Sequence, residues 1–289
     1  MMKTCDLHTH SVYSDGTYTP NELIRAAGKA GLSAVALSDH NTVAGLPSFL
    51  EAARGSGVEP VPGIEFSTEY RGIELHILAL FVAPEHYETI NCLLESFLQQ
   101  KEQSNRDLVH RLNQAGIFID YDAIKAKAAG RINRAVIGAE MVRLGYCESV
   151  KAAFSQWLSE KHGYYIPAKR LDAFDAIRFI KSIGAAAVLA HPFLSLDEAG
   201  LREFLVPAKE AGLDGMEVYY SVYDANTTAL AQSIAEEFGL LPSGGSDFHG
   251  GNKPDISIGT GRGNLVIPLT WMEALRGRSC QGVQGLSKK

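Results

Sequence analysis

The sequence predicts an α/β fold whose strands form a barrel or a doubly wound sheet, interrupted by a helical segment. Two observations support this prediction. Short apolar runs alternate with longer helical patterns over most of the 289 residues, which is typical of parallel strands joined by helices. Between about residues 88 and 160 no convincing strand occurs, and apolar residues recur at helical spacing.

The predicted strands are short and mostly apolar. They cover residues 4–8, 34–38, 60–66, 75–82, 185–190, 215–220 and 240–243. Helices are expected between them, the first opening at Thr19-Pro20-Asn21-Glu22 and ending near Gly31. We therefore expect a discontinuous barrel domain from residues 1–88 and 166–276, and a helical insertion at 89–165 that forms part of the substrate site. The tail at 277–289 is rich in Gly, Ser, Gln and Lys without an apolar period, so we expect it to be flexible.

Composition excludes several classes of protein. With 46% hydrophobic and 21% charged residues, the chain resembles ordinary soluble globular proteins. It has neither a run of about 18 apolar residues nor an apolar leader before Asp6. The four cysteines are scattered, which argues against a disulfide framework and a thiolate zinc site. A cytoplasmic location is the expectation, and no membrane or obligate protein partner is indicated.

Charge is unevenly distributed along the chain. Residues 98–170 contain 12 Lys and Arg against 7 Asp and Glu, a balance of +5. The remainder has 15 and 26, a balance of −11, which gives the net −6. This pattern fits an anionic ligand near one part and cations near the other, or simply a solvated helical face.

Potential metal ligands fall at the ends of the predicted strands. His8 and His10 alternate at the end of the first strand, so they share a face of an extended chain and can converge on one metal. Others follow in order: Asp15, Asp39, His40, Glu65, His76, His191, Asp247 and His249. Active-site residues of a barrel gather at the carboxyl ends of its strands, and imidazole with carboxylate suits zinc, manganese or iron. The sequence therefore predicts a metal site.

Five short segments resemble, in order, the motifs of the PHP (polymerase and histidinol phosphatase) superfamily. They are Asp6-Leu7-His8-Thr9-His10, Ser38-Asp39-His40, Pro62-Gly63-Ile64-Glu65, Ala190-His191-Pro192 and Gly245-Ser246-Asp247-Phe248-His249. The resemblance extends over nearly the whole chain and is greatest to bacterial phosphoesterases of the TrpH-related group. It implies a distorted (β/α)7 barrel with a small inserted helical subdomain and three divalent metals, manganese, zinc or iron.

The resemblance also implies which residues bind each metal. The first would be held by His8, His10, Glu65 and Asp247. The second would be held by Glu65, as a bridging ligand, with His76 and His191. The third would be held by Asp15, His40 and His249.

Clustered divalent ions neutralise phosphate oxygens and lower the pKa of bound water to near 7. The hypothesis is that a hydroxide bridging two metals attacks phosphorus in line, so no side chain is assigned as catalytic base. Asp39 adjoins His40 and either orients a ligand or caps a helix, and the sequence leaves both open.

Substrate binding needs cations beyond the metal ligands. Arg134 aligns with an Arg-Pro-His stretch that grips phosphate in relatives, although Ala135 and Val136 replace Pro and His here. Arg131 is a nearby alternative. A guanidinium can hold phosphate through two hydrogen bonds, but a surface salt bridge would also explain Arg134. Tyr220 stands where many relatives have His.

The resemblance implies a hydrolase of nucleotide phosphate esters. The substrates would be 3′,5′-bisphosphate nucleotides, or short oligonucleotides trimmed from 5′ to 3′. One alternative is a small-molecule phosphatase, such as one for histidinol phosphate. Another is a metal-containing nucleic-acid-binding module without catalysis. The exact substrate, the native metal and the oligomeric state do not follow from the sequence.

Overall fold

The computed structural model describes residues 3–127 and 132–286, with residues 280–286 by backbone only. The chain divides into two compact units. Unit 1 comprises Met1–Asn91 and Leu171–Lys289, and unit 2 comprises Cys92–Arg170. Among the described residues, none of the helices combines the length and the apolar character needed to cross a membrane.

The described residues of unit 1 form one sheet of nine strands. They are β1 (Thr4–Asp6), β2 (Ala34–Leu37), β3 (Glu59–Tyr70), β4 (Ile73–Leu80), β5 (Leu171–Asp172), β6 (Ala186–Leu189), β7 (Gly215–Tyr220), β8 (Leu241–Gly245) and β9 (Ile267–Pro268). The strand order is β8-β7-β6-β4-β3-β2-β1-β9, and β5 pairs with β3. β2 and β6 consist entirely of buried apolar residues, as expected for strands covered on both faces.

The sheet closes on itself beyond β1 and β8. Leu7 N donates to Gly244 O at 3.2 Å, Asp247 N to His8 O at 2.8 Å, and His10 N to Phe248 O at 2.9 Å. These bonds join the chain after β1 to the chain after β8. The predicted α/β barrel is confirmed.

One prediction about the strands is wrong. The alternation of strands and helices predicts parallel pairing, but β4 runs antiparallel to both β3 and β6. The reason is the two-residue turn at Arg71 and Gly72, both with positive φ (51° and 80°). Such a turn joins antiparallel strands, whereas a parallel pair needs a long crossover.

The described residues also form ten α-helices. They are α1 (Pro20–Lys29), α2 (Leu46–Ala53), α3 (Tyr87–Gln114), α4 (Tyr121–Lys127), α5 (Arg134–Arg143), α6 (Val150–Ala153), α7 (Ala173–Ser182), α8 (Glu198–Ala211), α9 (Ala225–Glu237) and α10 (Leu269–Leu286). The expected start of α1 is confirmed: Thr19 caps it, and the Glu22 carboxylate accepts from Thr19 N at 2.8 Å.

The C-terminal helix extends into the segment that the sequence predicts to be a flexible tail. The sequence predicts a flexible tail at 277–289, but α10 continues to Leu286, and residues 287–289 lie outside the described part. Met272 and Leu275 are buried in the barrel core, and the Ser279 hydroxyl donates to Arg276 O at 2.7 Å. A helix anchored by its first turns can extend through residues that have no apolar period of their own.

Unit 2 has its own apolar core, built from helices. Leu108 and Leu112 of α3, Ile137 and Met141 of α5, and Leu158 are buried together. No strand occurs among the described residues of this unit. Because these side chains bury one another, the helical spacing seen in the sequence corresponds to a local core.

Candidate metal centre

Nine predicted ligands come from two strands of unit 1 and from loops that follow its strands. They are called here the nine-residue cluster: His8, His10, Asp15, His40, Glu65, His76, His191, Asp247 and His249. His8 and His10 follow β1, and His40 follows β2. Glu65 and His76 lie within β3 and β4, so the hairpin supplies two of the nine residues. The barrel closure brings Asp247 beside the chain after β1.

Glu65 lies at the middle of the cluster. Its Oε1 is 2.8 Å from His76 Nδ1 and 3.1 Å from His191 Nε2. Its Oε2 is 3.0 Å from His40 Nδ1, 3.2 Å from His8 Nε2 and 3.3 Å from His10 Nε2. One fully buried carboxylate thus faces five imidazoles, as a bridging ligand would.

Asp247 approaches the histidines that follow β1. Its Oδ1 is 3.2 Å from His10 Nε2 and 3.7 Å from His8 Nε2. The residue has a positive φ of 56°, a conformation that costs about 1 kcal/mol or more and persists where the surroundings enforce it. Gly245 permits the close approach, since a Cβ there would lie 2.2 Å from His8 Cβ.

Asp15, His40 and His249 form one side of the cluster, where Asp15 and His40 are partly exposed and His249 is buried. Asp15 Oδ1 is 3.2 Å from His249 Nε2, and Asp15 Oδ2 is 3.8 Å from His40 Nε2. The side chains of Asp15 and His40 are 36% and 25% exposed, whereas His8 and Glu65 are fully buried. Solvent therefore reaches the cluster at Asp15 and His40.

The donor atoms fall into four overlapping groups, each within 4.8 Å. The groups are His10, Asp15, His40 and His249; His8, Glu65 and His191; His8, His10 and Asp247; and His40, Glu65 and His76. The structure brings together all nine residues that the resemblance implies. The groups overlap differently from the three implied sets, because His8, His10 and His40 each belong to two of them.

The cluster fits metal ions because it leaves buried polar atoms without hydrogen bonds. His8 Nε2, both nitrogens of His10, His40 Nδ1 and Glu65 Oε2 have no such partner. Buried polar atoms normally have one, and each exception needs an explanation such as an ion. Five of the eight such atoms among the described residues lie in this cluster, and they are imidazole nitrogens and a carboxylate oxygen, which bind cations.

The two central carboxylates are stabilised in their ionised form. Burial raises the pKa of Glu65, but the charges of His40, His8 and His76 outweigh it and bring this pKa well below its usual range. Burial likewise raises the pKa of Asp247, and the contacts with His10 and His8 more than reverse this. Both groups are therefore anionic, as metal ligands must be.

The pKa values of His10 and His76 shift in opposite directions, for different reasons. Burial, with repulsion from His249 and His40, lowers the pKa of His10 to about 3, which leaves a neutral, metal-binding imidazole. Burial also lowers the pKa of His76, but Glu65 outweighs it and brings the value to about 10. The negative charge of Glu65 thus favours the protonated form of His76.

Glu217 contacts two of the predicted ligands, His8 and His191. This buried residue of β7 places Oε1 3.0 Å from His8 Nδ1, and its Oε2 accepts from His191 N at 2.7 Å. The signal in the sequence that could have found it is a single carboxylate in the apolar run Gly215–Tyr220. A carboxylate at Nδ1 fixes the imidazole tautomer that offers Nε2 to a metal.

Two further buried aspartates hold the loops. Asp6 accepts hydrogen bonds from Ser246 N at 2.9 Å and Gly259 N at 2.7 Å. Asp39 accepts from Ser11 N at 2.7 Å and from the hydroxyls of Ser11 and Ser14 at 2.6 Å. Asp39 is not a helix cap, because Gly45 precedes α2. It anchors the loop between His10 and Asp15.

The predicted substrate residues lie in unit 2. The Arg134 guanidinium lies 4.0 Å from the centre of the Tyr165 ring and donates to Leu158 O at 3.3 Å. Among the described residues Arg134 forms no salt bridge. Its guanidinium is held by these contacts, and not by the surface ion pair that the sequence left open. Arg131 lies outside the described residues.

Comparisons with known proteins identify the family. Residues 6–167 match the PHP domain family. The chain belongs to the PHP family. A 5′-3′ exoribonuclease of Haemophilus influenzae is 34% identical over 86% of this chain and 91% of its own length. A phosphoribosyl 1,2-cyclic phosphate 1,2-diphosphodiesterase of Eggerthella lenta is 32% identical over 88% and 97%.

Two other PHP relatives complete the comparison. A 3′,5′-nucleoside bisphosphate phosphatase of Chromobacterium violaceum is 28% identical over 89% of this chain and 91% of its own length. A solved structure from Bifidobacterium adolescentis, with a provisional assignment as a metal-dependent phosphoesterase, has a TM-score of 0.81 and 29% identity over 96% of both chains. The structural similarity thus extends over 96% of the chain, beyond the residues matched to the family.

Glu217→Gln should weaken metal binding by about tenfold to a hundredfold, as is typical for carboxylates that orient a ligating histidine. Glutamine keeps the shape but removes the charge beside His8. Metal affinity is measured by titration with manganese and competition with a chelator. Glu203→Gln, which changes an exposed ion pair with Arg71, is the matched control. Unchanged affinity in Glu217→Gln would contradict a role in orienting His8.

Proposed function

We propose that this PHP protein is a metal-dependent hydrolase of phosphate esters of nucleotides, acting on 3′,5′-bisphosphate nucleotides or trimming short oligonucleotides from the 5′ end. The observation that carries the proposal is the nine-residue cluster, with five imidazoles around Glu65 and buried donor atoms without hydrogen-bond partners. Manganese, zinc or iron suits such a mixture of nitrogen and oxygen donors.

The nine residues would hold up to three ions. His8, His10, Glu65 and Asp247 would take the first, His76 and His191 with Glu65 the second, and Asp15, His40 and His249 the third. Bound divalent ions would supply charge neutralisation for the phosphate and activation of water near neutral pH.

Neighbouring side chains hold the proposed ligands in place, and part of the cluster is open to solvent. Glu217 fixes the ring of His8, and Asp39 fixes the loop that carries Asp15. Because Asp15 and His40 are partly exposed, substrate would approach from their side. All nine side chains act as ligands in this proposal, so none of them is assigned as a free general base.

The names of the relatives favour nucleotide-type substrates. The compared proteins are named as an exoribonuclease, a cyclic phosphate diphosphodiesterase and a nucleoside bisphosphate phosphatase. These names differ in the ester that is cleaved, and they share a phosphate bound to a ribose. A binding module without catalysis is the weaker alternative, because the structure assembles every predicted ligand.

A substrate panel tests the proposed function. Manganese-loaded protein would be offered adenosine 3′,5′-bisphosphate, 5′-phosphorylated oligoribonucleotides, phosphoribosyl 1,2-cyclic phosphate and histidinol phosphate. We expect release of phosphate or mononucleotide from one of the first three. Turnover of histidinol phosphate alone would favour a small-molecule phosphatase, and no turnover of any compound would refute catalysis.

Arg134→Ala should raise KM about tenfold or more, with metal content unchanged, if Arg134 binds substrate phosphate through charged hydrogen bonds. Steady-state kinetics and plasma mass spectrometry measure the two quantities. Because Arg134 also stacks on Tyr165, thermal melting must show that the variant is folded. Lys151→Ala, an exposed cation of the same unit, is the control. A KM equal to that of wild type would remove Arg134 from the substrate site.

A further inference from the structure

Lys253 forms an unusual ion pair beside the metal centre. Its Nζ lies 2.6 Å from Asp247 Oδ2. Other described lysines and arginines pair with carboxylates away from the cluster, as Lys181 does with Asp214 and Arg262 with Asp255. Among the ion pairs of the described residues, only this one joins a lysine or arginine to a member of the nine-residue cluster.

The two oxygens of Asp247 have different surroundings. Oδ1 faces the imidazoles of His8 and His10, whereas Oδ2 accepts from both Lys253 Nζ and the Tyr220 hydroxyl, the latter at 2.7 Å. Tyr220 alone can therefore hold Oδ2 in place. The ammonium of Lys253 has three N–H donors, and Asp247 occupies one of them.

The loop that carries Lys253 is fixed to the exposed side of the cluster. Gly251 N donates to the Thr17 hydroxyl at 2.8 Å, and the Asn252 amide donates to Asp15 O at 2.7 Å. The Lys253 side chain is 36% exposed. The cation is thus held in a defined place, and part of it remains open to solvent on the side where substrate would approach.

We infer that Lys253 is a phosphate-binding residue of this site, contacting an oxygen of the substrate phosphate with the N–H donors that Asp247 leaves free. The inference rests on the proposed function and deepens it. A phosphate ester carries one or two negative charges at neutral pH, and its approach to a cluster with three carboxylates is favoured by a cation at the entrance. Lysine serves as a point charge for phosphate in this way.

A purely structural role for Lys253 makes a different prediction. If Lys253 acted only by holding Asp247, its loss would resemble the loss of the Tyr220 hydroxyl, which bonds to the same oxygen. Lys253→Met and Tyr220→Phe are therefore compared directly. Lys253→Arg tests whether charge is sufficient, and Lys29→Met, at an exposed site on α1, is the neutral control.

Three readouts separate the roles. Metal content is measured by plasma mass spectrometry. The dissociation constant of inorganic phosphate is measured by calorimetry on manganese-loaded protein. The third readout is kcat and KM, from steady-state kinetics with the best substrate of the panel. For Lys253→Met we expect at least about a tenfold rise in the phosphate dissociation constant and in KM, with metal content unchanged. Tyr220→Phe should leave the phosphate dissociation constant within about twofold.

The outcomes distinguish this inference from the proposed function. Phosphate binding that depends on Lys253, without turnover of any ester, would support the inference and refute the proposed function. Turnover with the same phosphate dissociation constant in Lys253→Met and wild type would refute the inference alone. Loss of metal in Lys253→Met to the same extent as in Tyr220→Phe, or no phosphate binding by wild type, would also overturn it.

Discussion

Glu65→Gln should lower kcat/KM by at least about a thousandfold and reduce the amount of bound metal. Glu65 is fully buried and its two oxygens face five imidazoles, so its amide analogue would leave a bridging position without charge. Metal ions supply several kcal/mol of transition-state stabilisation in phosphoryl chemistry, which corresponds to a loss of this size. Kinetics and plasma mass spectrometry on the same preparation measure both effects.

The matched control for Glu65→Gln is again Glu203→Gln, an exposed glutamate whose pair with Arg71 contributes little. Circular dichroism must show that the Glu65 variant keeps its α/β fold. Activity within tenfold of wild type, at full metal content, would contradict the assignment of Glu65 as the central ligand.

Removal of the metals should abolish activity and lower the melting temperature by about 5 °C or more. A ligand that binds only the folded state stabilises it by about 4 kcal/mol when present at 1,000 times its dissociation constant, and each kcal/mol corresponds to about 2–4 °C in a chain of this size. The buried carboxylates of Glu65 and Asp247 would lose their cations. Calorimetry before and after dialysis against a chelator measures the change.

Re-addition of manganese should restore both activity and melting temperature, which shows that the loss is reversible. A chelator saturated with manganese beforehand is the control for effects of the chelator itself. An unchanged melting temperature in metal-free protein would indicate that the cluster does not bind ions tightly, and retained activity would refute metal dependence.

Much of the site could be predicted because its residues follow strands. His8, His40 and His191 each come after a short apolar run, and the carboxyl ends of such strands meet at one end of a barrel. The family resemblance then assigned roles that spacing alone could not. The convergence of these side chains in the structure agrees with the expected proximity, and their function as ligands stays a prediction.

The parts that the sequence did not reveal depend on contacts between distant segments. Glu217 of β7 contacts His8, which follows β1, and the backbone of His191, which follows β6. Lys253 contacts Asp247 from a loop with no apolar pattern. Hydrophobic periodicity does not predict the antiparallel direction of β4, because it contains no information on the positive φ of Arg71 in the two-residue turn.

Through the tight turn at Arg71 and Gly72, the length of the β3–β4 hairpin determines the direction in which His76 points. β3 and β4 pair from Gly63 with Leu80 to Tyr70 with Ile73, which sets Ser67 opposite His76. Deleting one turn residue would shift this pairing by one position, and side chains of a strand alternate between its faces. His76 would then point away from Glu65, so the place of this side chain in the cluster depends on the length of the hairpin.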